Sequence, residues 1–139
     1  MPAETTEFNW PVRVYYEDTD TGGVVYHSNY LKYMERARTE WLRALGWSQQ
    51  HLQSKEGVVF AVTRMNIEFL KPARMDDLLQ VRARLTRGGG ASLGFEQSIS
   101  NEAAELICRA DVEVACLDAR TFKPARLPAS VRLEKNNAD

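Results

Sequence analysis

The sequence lacks three features that would assign it to a specialised class of protein. No run of apolar residues approaches the roughly 18 that a membrane-spanning helix needs. Neither sign of charge is in excess, since 18 Lys and Arg stand against 19 Asp and Glu, so no overall field recruits nucleic acid. The first residues, MPAETTEFNW, lack the basic and apolar segments of a signal peptide. We therefore expect a cytoplasmic protein of one domain.

Cysteine and histidine are also scarce, with two of each. Cys108 and Cys116 are eight residues apart in one apolar stretch, which places them on the same face of a strand. Because eight residues of extended chain span about 26 Å, a disulfide between them is excluded and we expect two buried free thiols. His51 lies outside any motif and is expected at the surface.

Alternating apolar and polar residues predict β-structure over much of the chain. A first strand is expected over Phe8–Tyr16, with one buried face that carries Trp10, Val12, Val14 and Tyr16. Four more strands are predicted at Val58–Leu70, Leu78–Arg87, Ser92–Ser100 and Glu105–Leu117. The connections between these four are short, which implies that consecutive strands are antiparallel neighbours.

One long helix interrupts the strands. Apolar residues three and four apart form a stripe of Tyr30, Met34, Ala37, Trp41 and Leu45, widened by Leu31 and Leu42. Ser28 or Asn29 is expected to cap the helix, and Gly46 to end it. About seventeen residues give a helix of about 25 Å, enough to span a small sheet.

The predicted order β-α-β-β-β-β indicates an α+β fold, in which a curved five-stranded antiparallel sheet wraps around the helix. A single domain is expected over residues 1–139, with loose polar ends at 1–7 and 134–139, a short helix over Ser48–Lys55 and a last helical turn near Ser130–Leu133. Such a sheet has open edges that one chain of this length does not cover. We therefore expect at least a homodimer.

Residues with chemical potential are concentrated in Arg13–Gly46. The stretch holds a carboxylate cluster (Glu17, Asp18 and Asp20), a glycine pair (Gly22 and Gly23) and the start of the helix. A carboxylate can act as base or nucleophile, and glycine lets a ligand approach the backbone closely. The first turn of a helix supplies unpaired N–H groups and a positive dipole.

The stretch RVYYEDTDTGGVVYHSNYLKYMERAR closely resembles the signature of hotdog-fold acyl-CoA thioesterases of the 4-hydroxybenzoyl-CoA thioesterase type. Its core elements are Arg13-Val14, Thr19-Asp20, Gly23-Val24-Val25 and His27, and the likeness extends through FLKPARMDD and RGGGASLGFEQ. It looks most like the branch associated with the bacterial Tol-Pal system. The resemblance implies a dimer that pairs into a tetramer, active sites at subunit interfaces, and hydrolysis of acyl-CoA without metal or cofactor.

By position in the motif, Asp20 corresponds to the essential carboxylate of the family, as either general base or nucleophile. The alternative is that Asp20 caps a turn or the helix. His27 is expected either to contact the thioester carbonyl through its ring or to donate its backbone N–H to the oxyanion. Asp18 is expected to hold the loop in place.

The expected substrate-binding residues are Gly22, Gly23, Tyr26, Asn29, Arg87 and Gly88, while Tyr30 is expected to support the pocket from the core. Arg87-Gly88-Gly89-Gly90 resembles a phosphate cradle in composition, but no GK[ST] follows it and it is more typical of a hairpin turn; the two interpretations are compatible. The family places the CoA nucleotide near such loops, and basic residues that can meet its phosphates are Arg64, Lys71, Arg74, Arg87, Lys123 and Arg126.

Two other functions stay open at this point. Hydration or dehydration of an acyl thioester uses a histidine with a carboxylate, but Asp20 and His27 stand seven residues apart across a glycine turn, unlike the hydratase pattern. The other is a non-catalytic protein that binds acyl-CoA or acyl carrier protein within a membrane-associated complex.

Overall fold

The computed structural model describes residues 7–131, and its elements follow the predicted order. The strands are β1 (Glu7–Arg13), β2 (Val58–Phe69), β3 (Leu78–Gly89), β4 (Ser92–Ser100) and β5 (Leu106–Asp118). The long helix is α1 (His27–Ala44), and a short helix α2 (Gln49–His51) runs into a π turn (Leu52–Glu56). Two 3₁₀ turns cover Tyr16–Asp18 and Ala129–Val131. The predictions made for residues 1–6 and 132–139 lie outside the described part of the chain.

The five strands form one antiparallel sheet in the order β1-β3-β4-β5-β2. The predicted five-stranded sheet with one long helix is therefore confirmed. The expectation that all consecutive strands are neighbours was wrong for β2 and β3. Strand β2 pairs with β5 at one edge, whereas β3 lies between β1 and β4.

The connection between β2 and β3 explains this difference, and we call residues 70–77 the crossover segment. It leaves β2 with the amides of Leu70 and Lys71 bonded to the Ile107 carbonyl, at 2.8 and 3.0 Å. It reaches β3 with the Asp76 amide bonded to the Val14 carbonyl at 2.9 Å. The segment therefore crosses the end of the sheet instead of turning back as a hairpin.

Most of the predicted apolar stripe of α1 packs against the sheet, but Leu31, which was expected to widen it, is 37% exposed. Tyr30, Met34, Ala37, Trp41 and Leu42 are buried, and so is Tyr33, which lies outside the predicted stripe. The Trp41 and Phe95 rings meet edge to face, with centroids 5.2 Å apart. Burial of a large apolar side chain contributes about 1.5–3 kcal/mol, so this stripe fixes the helix on the sheet.

The ends of two predicted elements differ from the structure. Strand β1 ends at Arg13, and Tyr16 begins the 3₁₀ turn with its side chain 80% exposed, so Tyr16 does not share the buried face of Val12 and Val14. The predicted stop at Gly46 is confirmed, because this residue has a φ of +96° directly after the helix. No helix within residues 7–131 is long and apolar enough to cross a bilayer.

Both cysteines are buried and free, as predicted. Burial raises the pKa of the Cys108 thiol to about 12 and also raises the pKa of Cys116. A thiol is nucleophilic only as its thiolate, so neither side chain is reactive in the folded protein. The exposed position predicted for His51 is also confirmed, with its ring against Trp47.

We predict that iodoacetamide at pH 8 labels neither cysteine in the native protein and both in urea. A thiol with a pKa of about 12 is only about 10⁻⁴ ionised at that pH, and burial blocks the reagent as well. Mass spectrometry of the intact protein counts the added groups. Stoichiometric labelling without denaturant would contradict the burial of these thiols.

Candidate active site

Asp20 stands at the start of a tight turn, in a stretch of residues 19–26 that we call the acid loop. The Asp20 amide donates to the Val24 carbonyl at 2.9 Å, and the Gly23 amide donates to the Asp20 carbonyl at 3.0 Å. Gly23 has a φ of +80°, a conformation that favours glycine. The acid loop is therefore ordered by its own backbone, and the glycine is required at position 23.

The Asp20 carboxylate is exposed, and among the described residues only one of its two oxygens accepts a hydrogen bond. Its Oδ1 accepts the Gly22 amide at 2.8 Å, which is a turn-capping bond. Within residues 7–131, Oδ2 has no hydrogen-bond partner. The capping interpretation of Asp20 thus holds for one oxygen, while the other oxygen is free to meet a water or a thioester.

Asp18 has a different environment from Asp20. Its carboxylate accepts the Tyr15 amide at 2.9 Å, and its carbonyl accepts the Tyr26 amide at 3.0 Å and the Asn29 side-chain amide at 2.8 Å. These bonds connect the 3₁₀ turn to the beginning of α1. The geometry fits the structural role expected for Asp18.

The predicted caps of α1 were wrong. The helix begins at His27, so the N-cap position falls on Tyr26, and Ser28 and Asn29 are already helical. The Asn29 side chain instead donates to Asp18, because its amide group reaches a backbone carbonyl outside the helix. No side chain caps α1, and within the described residues the amides of His27 and Ser28 have no hydrogen-bond acceptor.

The His27 ring lies among aromatic side chains. Its centroid is 4.5 Å from the Tyr26 ring and 6.0 Å from the Phe69 ring, which it meets edge to face. The ring makes no hydrogen bond to any other residue of the part that the structure describes. Phe69 was not among the predicted site residues, although it opens the quoted FLKPARMDD motif.

The crossover segment borders the acid loop. The Val25 amide donates to the Ala73 carbonyl at 2.8 Å, and Val24 forms a bridge with Arg74. The amide of the same residue, Ala73, donates to the Tyr30 hydroxyl of α1 at 3.0 Å. Sequence analysis missed Ala73 because its role is carried by the backbone. The only signal was the position of Ala73 within the quoted motif.

Arg13 holds the far end of the crossover segment. Its guanidinium donates to the Asp76 carbonyl at 2.7 Å, where Asp76 has a φ of +73°. The Asp77 carboxylate accepts the Arg74 amide at 2.9 Å within the same turn. The family motif residue Arg13 therefore contributes to the site through the backbone of the crossover segment.

Arg87 and Gly88 are not brought to the acid loop of the same chain. They lie at the glycine hairpin, where Gly90 and Ala91 turn between β3 and β4, so the hairpin interpretation is confirmed. Arg87 lies six positions along β3 from Val81, whose row across the sheet ends at Phe69. This is about 20 Å along the strand. The Arg87 side chain donates to Ser92 and pairs with Glu113 at 3.3 Å.

The site thus consists of the acid loop, the first turn of α1 and the crossover segment, at one end of the sheet. Among the described residues, no three His, Cys, Asp or Glu side chains are grouped so that they could hold a metal ion. The arrangement offers an exposed carboxylate, backbone N–H donors and aromatic rings. These groups suit acyl transfer to water.

Comparison with known proteins agrees with this chemistry. The model of the Thioesterase superfamily matches residues 22–108. YbgC of Escherichia coli, an acyl-CoA thioester hydrolase, is 50% identical over 130 residues, covering 94% of this chain and 96% of that protein. The acyl-CoA thioesterase YbgC of Haemophilus influenzae is 44% identical over 125 residues, with coverage of 90% and 91%.

Solved structures show the same architecture. A probable thioesterase from Bartonella henselae is similar with a TM-score of 0.83 and 40% identity, covering 88% of this chain and 99% of that one. The resemblance to hotdog-fold thioesterases is therefore confirmed by sequence and by structure. The chain belongs to the thioesterase superfamily.

Proposed function

We propose that this protein hydrolyses acyl-CoA thioesters to a carboxylic acid and CoA. The observation that carries the proposal is the free Oδ2 of Asp20 in a loop that leads directly into two unpaired amides of α1. The substrate class is supported by the acyl-CoA thioester hydrolases that the chain resembles.

Thioester hydrolysis requires from the protein mainly an activated nucleophile and an oxyanion site. The leaving thiol has a pKa near that of cysteine, about 8.5, so it departs as a thiolate without a strong general acid. Asp20 can deprotonate a water, or attack the carbonyl to give a mixed anhydride that water then opens. In both routes the acyl carbon gains the oxygen and the sulfur leaves with the electron pair.

The amides of His27 and Ser28 are our candidates for the oxyanion site. They are the first N–H groups of an eighteen-residue helix, and the helix dipole adds partial positive charge at this end. Loss of one such donor typically costs about 10²–10³ in rate. Both roles expected for His27 stay part of the proposal, because its N–H has no acceptor among the described residues and its ring, beside Tyr26 and Phe69, is exposed.

The hydratase alternative needs a histidine working with the carboxylate, and among the described residues no hydrogen bond joins the His27 ring to Asp20. Gly22, Gly23, Tyr26 and Asn29 remain the proposed substrate-side residues, because they belong to the acid loop and the first turn of α1. The proposed phosphate contacts of Arg87 and Gly88 require a second subunit, since these residues lie at the far end of the sheet. Acyl carrier protein is proposed as a second acyl donor. A cytoplasmic location and a Tol-Pal association are also proposed, the latter on the sequence resemblance.

A homodimer that pairs through β2 is part of this proposal. Strand β2 is an edge strand, and α1 packs mainly over β1, β3 and β4. Apolar side chains on the helix-facing side of β2 are therefore partly exposed, including Val62 at 47% and Phe69 at 48%. A second copy on this edge covers Phe69 beside His27, which puts a subunit boundary at the site. Pairing of two dimers into a tetramer rests on the resemblance.

We predict that Asp20→Asn lowers thiol release from acyl-CoA by about 10² or more, because the amide neither accepts a proton nor attacks. The side chain keeps an oxygen for the Gly22 amide, so the loop stays in place. The matched control is Asp18→Asn, which retains an acceptor for Tyr15 and should keep near-normal activity. The assay uses short, long and aromatic acyl-CoAs with a thiol reagent.

Equal rates for wild type and Asp20→Asn would remove Asp20 from the mechanism. Absence of release from every acyl-CoA, with binding retained, would favour the non-catalytic alternative.

The two neighbouring glycines should respond differently to alanine. Gly23→Ala should lower the free energy of unfolding by about 1 kcal/mol, because alanine is strained at a φ of +80°. Gly22→Ala should leave stability nearly unchanged, but its Cβ would lie 3.2 Å from Asp20 Oδ1 and displace that carboxylate. We expect kcat to fall about threefold to tenfold in Gly22→Ala. Urea unfolding and the thiol assay measure both effects, and the reverse pattern would contradict the described loop.

We predict that Val62→Asp converts the dimer into monomers, because the carboxylate would be buried where two β2 strands meet. The control is Asn66→Asp on the same strand, where the side chain is exposed on the face away from the helix. Light scattering after size exclusion gives the mass of each variant. A dimer that survives Val62→Asp would place the interface elsewhere.

A further inference from the structure

Tyr30 makes a buried hydrogen bond that the proposed reaction does not use. Its side chain is only 4% exposed, and its hydroxyl oxygen accepts the amide of Ala73, which is fully buried. Burial raises the pKa of Tyr30 above its ordinary value. The hydrogen bond from the Ala73 amide lowers this pKa, whereas the charges of Asp77 and Asp20 raise it further. The hydroxyl is thus neutral, and Asp20 lies within its electrostatic reach.

The Ala73 peptide group extends this contact into the acid loop. While its N–H donates to Tyr30, its carbonyl accepts the Val25 amide at 2.8 Å. Val25 is itself buried, and it follows directly on Val24, whose carbonyl accepts the Asp20 amide at 2.9 Å. A continuous series of hydrogen bonds and peptide units therefore connects the first turns of α1 to Asp20.

We infer that Tyr30 is a positioning residue of the site: its hydroxyl fixes the Ala73 peptide group, which fixes the acid loop and so the Asp20 carboxylate against the start of α1. This inference rests on the proposed thioesterase function. Tyr30 itself touches neither the acyl group nor water in this role.

The hydrogen bond between Tyr30 and Ala73 can hold the crossover segment at a fixed distance from α1. The Tyr30 ring is held by packing against Tyr33 at 6.4 Å and Phe69 at 5.8 Å, so the hydroxyl has a defined position on the helix. Without it, the Ala73 N–H is left buried without an acceptor, which favours a shift of the crossover segment or entry of water. A displacement of about 1 Å at reacting groups can cost about 10²-fold in rate.

Tyr33 provides a matched control on the same helix. It is 1% exposed, and among the described residues its buried hydroxyl has no hydrogen-bond partner of normal geometry, although burial first and then the neighbouring Asp18 carboxylate raise the pKa of Tyr33. Tyr33→Phe therefore removes a buried hydroxyl that lies near Asp18 and makes no hydrogen bond to the crossover segment. Both variants lose one oxygen, but only Tyr30→Phe breaks a contact with the crossover segment.

The experiment measures kcat and KM for acyl-CoA together with hydrogen exchange of individual backbone amides by NMR. We expect Tyr30→Phe to lower kcat about tenfold to 100-fold with KM within about threefold, because the substrate contacts remain while the carboxylate is displaced. The amides of Ala73 and Val25 should exchange at least tenfold faster, while those in the middle of α1 keep their protection. Tyr33→Phe should match wild type in all of these.

Arg13→Met is a second variant, at an exposed residue, for the case in which Tyr30→Phe does not fold. It removes the bond to the Asp76 carbonyl at the far end of the crossover segment. We expect a smaller loss of kcat, about threefold, with faster exchange at Val25.

Normal kcat in Tyr30→Phe, or a lowered kcat with unchanged exchange at Val25, would overturn the inference. An equal loss in Tyr33→Phe would overturn it too, because the effect would then come from the core in general. Wild-type protein that hydrolyses no acyl-CoA would instead contradict the proposed function. The exchange rates need no substrate, so they decide separately whether Tyr30 holds the loop.

Discussion

Burial of the apolar face of α1 against β1, β3 and β4 fixes the point at which the helix begins, and the site depends on that point. The first amides of a helix have no partners within it, so the fold itself creates N–H donors at His27 and Ser28. Where Ser or Asp usually caps a helix, this chain has Tyr26, whose side chain leaves them unsatisfied. The core therefore places donors at the end of the sheet, where the acid loop brings a carboxylate.

Backbone groups do most of the positioning around these donors. The Asp18 carbonyl accepts the Tyr26 amide and the Asn29 side chain, while Ala73 accepts the Val25 amide with its carbonyl and donates its N–H to Tyr30. The crossover segment contributes because it spans the end of the sheet between β2 and β3. The same topology leaves β2 as an edge strand with exposed apolar residues beside His27. The geometry of the candidate site and the proposed subunit boundary thus arise from a single feature of the sheet.

The sequence predicted what depends on local periodicity. Strands β2 to β5, most of the stripe of α1 and the stop at Gly46 were recognisable from spacing, and the motif made Asp20 the candidate carboxylate. The pairing of β2 with β5 could not be predicted, because local patterns carry no information on which strands become neighbours. The prediction that Tyr16 lies on the buried face was wrong, because the apolar alternation of the sequence continues past the end of β1 into a 3₁₀ turn. The contribution of Ala73 could not be predicted, because its backbone makes the hydrogen bonds and these do not depend on the type of side chain.

The most direct test of the account is whether a thioester carbonyl meets the first turn of α1 next to Asp20. An acyl-CoA ketone analogue, with a methylene in place of the sulfur, presents that carbonyl without being hydrolysed. In amide NMR spectra of the titrated protein, the account predicts that the His27 and Ser28 N–H signals shift most and move downfield, as expected for donors to an oxygen. Binding of the analogue with these two signals unchanged, and the largest shifts elsewhere, would contradict it.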